Sequence, residues 1–140
     1  MEVPVACDYR DLRVWQDAMK LAESVYSVTR GFPSDERFGL TAQMQRAVVS
    51  VASCIAEGNA RSSIRDYLRF LSMSSGSLAE LETQMLLAER LGYVAARDAA
   101  APLTALRSIA RQLQSLKKAL SGKLSGTSHF PVPRSSFPAP

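Results

Sequence analysis

Few side chains in this sequence have the type and spacing that chemistry needs. The single histidine, His129, stands in a proline-rich stretch remote from both cysteines, so a histidine-activated nucleophile or histidine metal site lacks its second member. Cys7 and Cys54 have no CxxC spacing, and Cys54 lies within a helical pattern, where it reads as a small buried hydrophobe. Neither GxGxxG nor a phosphate-binding loop occurs. No catalytic, cofactor-binding or metal residue is assigned, no cofactor is expected, and the expectation is a protein that is not an enzyme.

Two charged groupings remain. Arg46, Glu57, Glu80 and Glu82 are the residues from which a charged pocket could be drawn. The competing reading is a buried polar network of Gln43, Arg46, Ser50, Glu57 and Glu80 that fixes helix register and subunit packing, because buried charges require partners. If the chain turns back around residue 61, Arg46 falls opposite Ser77 and within reach of Glu80. An Arg46–Glu80 pair is therefore expected, within one subunit or across an interface. The second grouping is Arg107, Arg111 and Lys118, which follow one line along a helix, with Lys117 beside them. They are candidate phosphate contacts. The alternative is a solvated face whose cations near a helix C-terminus suit its dipole. Trp15 and Tyr26 have the chemistry of base-stacking platforms, but their helical spacing assigns them to the core.

The elements that must position these groups are helical. Leu40 to Gly58 resolves at 3.6 residues per turn into three stripes. Leu40, Met44, Ala47, Val48, Val51 and Ile55 form a core face; Ala42, Val49, Ala52 and Ala56 form a face of mostly small residues; Gln43, Arg46, Ser50, Ser53 and Glu57 form a polar one. An outer bundle helix normally shows water a charged face. This one has almost none, and Phe70 to Ala79 is likewise uncharged, so cover by sister copies is expected. Gly76, which costs roughly 1 kcal/mol against alanine, is expected to allow close approach to the small face.

Capping and breaking residues divide the chain into helices at about 11–30, 36–57, 64–91 and 99–120. Asp11 is the expected first cap, with Leu12, Trp15, Ala18, Met19, Ala22, Val25 and Tyr26 facing the core. Gly31 is expected in the left-handed conformation, and Pro102 in a first turn. Residues 1–10 are expected to form a flexible arm. Residues 121–140, rich in proline, serine and glycine, form a tail expected to be disordered. The resulting fold class is all-α, an antiparallel up-down-up-down four-helix bundle assembling as a ring-like homo-oligomer.

With 140 residues the chain suffices for one domain. Its net charge of +4 is uneven, −2 over residues 1–98 and +6 over residues 99–140, where there are no acids. MEVPVACDYR lacks the pattern of a secretory signal. No window offers the ~18 predominantly apolar residues of a membrane span, so a cytoplasmic protein with free thiols and no membrane partner is expected.

Asp11-Leu12-x-Val14-Trp15-x-x-Ala18, Phe32-Pro33, Gly39-Leu40-x-x-Gln43, Arg46-Ala47-x-x-Ser50, Ile55-Ala56-Glu57-Gly58, Gly76-Ser77-Leu78-x-Glu80-Leu81 and Leu91-Gly92-Tyr93 together resemble one family. It is the "four helix bundle protein" family named after reading frames in intervening sequences of bacterial large-subunit ribosomal RNA genes. The resemblance covers about residues 9–120. It implies ring-like homopentamers and establishes no activity. A distantly similar group, the accessory proteins of diversity-generating retroelements, uses a basic pentameric barrel to bind nucleic acid and a reverse transcriptase. The family usually has Asn in place of Cys54, and often Ala-Arg in place of Ser74-Ser75, which weakens phosphate contact by that segment. In a pentamer the line on the last helix would gather about twenty positive charges. Two functions follow as expectations: an accessory factor binding RNA or DNA without sequence preference, or a structural or protein-interaction module with no nucleic-acid role.

Overall fold

The computed structural model describes residues 8–127; the N-terminal seven residues with Cys7, and residues 128–140 with His129 and the prolines of the expected tail, lie outside the described residues. Four helices pack together: α1 (Arg13–Thr29), α2 (Leu40–Asn59), α3 (Ile64–Arg90) and α4 (Ala96–Thr127). The described residues include no strand. Each helix touches two others, α1 and α3 both lying against α2 and α4. Ala18, Leu21 and Val25 of α1, Met44, Val48 and Ile55 of α2, Leu71, Leu81 and Met85 of α3, and Ile109, Leu113 and Leu120 of α4 are fully enclosed between them. Burial of such side chains contributes roughly 1.5–3 kcal/mol each before conformational entropy is counted.

The face of α1 is the expected one only in part. Ala18 and Val25 are buried and Leu12, Trp15 and Ala22 pack against the core, but Val14 and Leu21 join them where Met19 and Tyr26 were expected. Val14, Ala18, Leu21 and Val25 point inward, while Met19 and Tyr26 are 42% and 41% exposed. The apolar arc of this helix is wide, and a stripe starting at Val14 fits the same period as one starting at Trp15. Trp15 instead covers the edge, with Tyr9 packed edge-on at 5.3 Å. Asp11 is not the cap either. Asp8 caps a short 3-10 turn, Tyr9–Asp11, by accepting from the Arg10 amide, and α1 starts after Leu12 with no side-chain cap. The Arg10 guanidinium bonded to Asp8 holds that carboxyl down at about 2.

Ser34–Glu36 form a second 3-10 turn, so α2 starts at Leu40 rather than at residue 36. Glu36 still serves the helix, because its Oε2 accepts from the Leu40 amide at 2.9 Å and places negative charge at the positive end. Gly31 does not take the left-handed conformation. Among the described residues only Gly92 has positive φ, 77°, and it follows α3 as a left-handed C-terminal glycine should. Ser63 caps α3, its Oγ accepting from the Asp66 amide at 3.1 Å.

Close approach belongs to Gly58, not Gly76. A Cβ on Gly58 would lie 2.9 Å from Phe70 Cβ and 3.1 Å from Tyr67 Cδ1, whereas one on Gly76 would meet nothing within 4 Å. Gly58 therefore remains inside α2 and sets its spacing from α3. α4 extends beyond residues 99–120 at both ends. Pro102 occupies its second turn, and residues 121–127, expected in the tail, are helical. Leu113, Leu116, Leu120 and Leu124 continue one stripe at spacings of three and four, which outweighs the helical cost of Gly122, about 1 kcal/mol.

Candidate functional site

The two charged groupings have separate positions in the fold. On α2 and α3, Gln43, Arg46, Glu57 and Glu80 are exposed and Ser50 is half-buried. Arg46 and Glu80 form no ion pair within the chain. The charged heads lie on the solvent-exposed side of α2 and α3 in one chain. The expected buried network of Gln43, Arg46, Ser50, Glu57 and Glu80 is therefore not formed inside one chain.

What the seam does bury is a set of small hydroxyls. Ser74 Oγ donates to the Val51 carbonyl at 2.9 Å, and the Ser77 and Ser50 hydroxyls bond at 2.9 Å. Cys54 Sγ lies 3.7 Å from Ser50 Oγ and is 7% exposed. These side chains are short enough to satisfy each other where two helices are held close by Gly58. Ser74 thus acts as a cross-helix clasp. Gln84, which sequence reasoning passed over, is buried beside the same seam; its Nε2 donates to Glu80 Oε1 at 3.2 Å, and its own Oε1 has no partner. Its spacing with Leu81, Met85 and Ala88 was the available signal.

Beside the seam, an open groove of about 490 Å³ runs between α1 and α2, lined by Tyr26, Ala42, Gln45, Arg46, Val49 and Ser50. Exposed apolar side chains continue elsewhere: Met73, Leu86 and Leu87 on α3, Leu91 just after it, and Phe38, the most exposed at 86%. None of the His, Cys, Asp and Glu side chains among the described residues cluster as a metal site would require. No described helix is long and apolar enough to cross a membrane.

The basic line on α4 is divided by its neighbours. Arg107 Nε lies 3.3 Å from Glu82 Oε2, across a groove lined by Leu78, Ala79, Leu106 and Ala110. Glu82 is thereby engaged with α4 and forms no pocket with Arg46. Lys117 Nζ donates to Ser75 Oγ at 3.0 Å and ties α4 to α3. Arg111 and Lys118 are exposed, with no acidic partner among the described residues. Asp17 accepts from Gln112 Nε2 at 2.8 Å and ties α1 to α4.

A further cationic group was missed by sequence reasoning. Arg61, between α2 and α3, and Arg69, in α3, both place a guanidinium over the ring of Phe70, 4.8 and 4.9 Å from its centroid. The four-residue spacing of Arg61, Arg65 and Arg69 was the signal. It was obscured because Phe70 reads as an ordinary core residue.

Against known proteins, the model of one family, described as 23S rRNA-intervening sequence protein, matches residues 10–115. No curated protein matches the chain.

Proposed function

From the premise that the chain belongs to the 23S rRNA-intervening sequence protein family, we propose that it is a non-enzymatic, homo-oligomeric accessory protein that binds nucleic acid through phosphate contacts. The observation that carries this reading is the outer face of α4. Arg111 and Lys118 are solvated and unopposed, flanked by Arg107 and Lys117, and residues 99–140 contain no acid. Cations placed this way release counterions from a phosphate backbone without reading bases.

The assembly belongs to the same proposal. The α2–α3 contacts pair Ser50 with Ser77, Val51 with Ser74, and Gly58 with Phe70; numbers rise on one helix as they fall on the other, which supports the antiparallel, up-down-up-down order. Arg46 and Glu80, unpaired with each other in one chain, and the exposed Val49 and Met73 support cover by further copies. Repetition around a ring, pentameric as the family resemblance implies, would multiply the α4 field. A cytoplasmic site of action is part of the same proposal.

The test is a titration of RNA and DNA duplexes over a range of salt concentrations. Affinity should fall steeply with salt, and an Arg107/Arg111/Lys117/Lys118 alanine variant should flatten that slope by about one per phosphate contact removed. No binding at low salt overturns the reading. Phe38 and the exposed leucines of α3 favour the second reading, a protein-interaction module, and that outcome would leave it standing.

A further inference from the structure

We propose that Arg61, Arg65 and Arg69 form a phosphodiester seat at the α2–α3 connection, distinct from the cationic line on α4. The proposal rests on the nucleic-acid reading above and names a second surface through which that binding acts.

The seat begins with a buried ring. Phe70 is almost fully enclosed, and it packs so close to Gly58 that a side chain there would have to displace it. A ring fixed in this way gives a fixed platform. Arg61 approaches it from the connection and Arg69 from α3, each guanidinium within 4.9 Å of the same centroid. Stacking restricts both side chains before any ligand arrives, so less conformational entropy is lost when they are used. Arg65, also exposed, lies one turn before Arg69 on the same side of α3.

The local charge is not balanced. Asp66 reaches Arg69 at 3.7 Å, but Arg61 and Arg65 have no ion-pair partner among the described residues. Two guanidinium charges this close to one ring centroid repel each other, and an anion within reach of both relieves that repulsion. All three cations are arginines, whose planar forks bind phosphate oxygens in pairs. Phosphates spaced along a nucleic-acid strand satisfy such a row; one small anion would leave part of it unused. Arginine stems can also merely shelter an aromatic ring, and the experiment must separate the two roles.

The full chain is titrated with a fluorescently labelled RNA duplex over a range of salt concentrations. It is compared with Arg61→Gln/Arg65→Gln/Arg69→Gln and with the corresponding triple lysine variant. The glutamine variant should flatten the salt slope by about one per arginine, and the lysine variant should retain the slope while binding less tightly. If the triple variants do not fold, Arg65→Gln alone, which leaves both Phe70 stacks in place, should flatten the slope by about one. Slopes equal to wild type, alongside a flattened slope in the α4 alanine variant, would overturn the seat and leave the function intact. A wild-type chain that binds no RNA at low salt overturns both.

Discussion

Tyr93 joins two loops through one carboxylate. Its hydroxyl donates to Glu36 Oε1 at 3.3 Å, while Glu36 Oε2 accepts from the Leu40 amide, and its ring leans on Phe32 at 5.5 Å. Desolvation and then the negative charge of Glu36 raise the phenol above its ordinary value of 10.0. The folded state therefore holds this proton more tightly than the unfolded chain. The contribution is fully present below pH 10, and it is lost as pH rises through the raised value. A phenolate would face the Glu36 carboxylate with no proton to share. Thermal midpoints should fall above pH 10 more steeply for wild type than for Tyr93→Phe. Equal alkaline slopes would show that this contact carries none of the dependence.

Among the elements, two helical glycines, Gly58 in the last turn of α2 and Gly76 in the middle of α3, separate what periodicity reveals from what it hides. Only Gly58 lies at a crossing. Gly58→Ala should destabilise by about 1–3 kcal/mol, because the new methyl meets Phe70 and Tyr67. Gly76→Ala should stabilise by up to about 1 kcal/mol, since it restores helix propensity and meets no atom. Denaturant midpoints of the two variants should shift in opposite directions. The four helices were legible because their apolar residues recur at a 3.6-residue period. The rotation of α1 was not, because its apolar arc offers two equivalent stripes and only tertiary contact selects the one containing Val14 and Leu21. The extension of α4 past Ser121 was missed for the opposite reason. Glycine and serine composition dominated the reading, although Leu120 and Leu124 continued the stripe. Of the candidate site, the exposed α4 cations could be read directly, but their partners Glu82 and Ser75 could not, since those contacts depend on how α3 is rotated. The Phe70 stacks were missed because they join residues from a connection and a helix.

For the whole molecule, the decisive pair is Arg46 and Glu80. Both are exposed and belong to neighbouring helices, yet they do not pair with each other within the chain. Surface charges of this kind contribute little to the stability of one chain, roughly 0–1 kcal/mol. Between copies, the exclusion of water raises the cost of breaking such a pair. Arg46→Glu and Glu80→Arg should each lower the mass in solution toward the 15.3 kDa of one chain, with helical content unchanged. The double exchange should restore the assembly, because it returns opposite charges to the same junction with their positions reversed. Light scattering at matched concentrations reads all four proteins. If both single variants keep the wild-type mass, this flank is not where copies meet. A wild-type chain that is already monomeric would remove the amplification of charge by repetition and leave phosphate binding dependent on a single copy of α4.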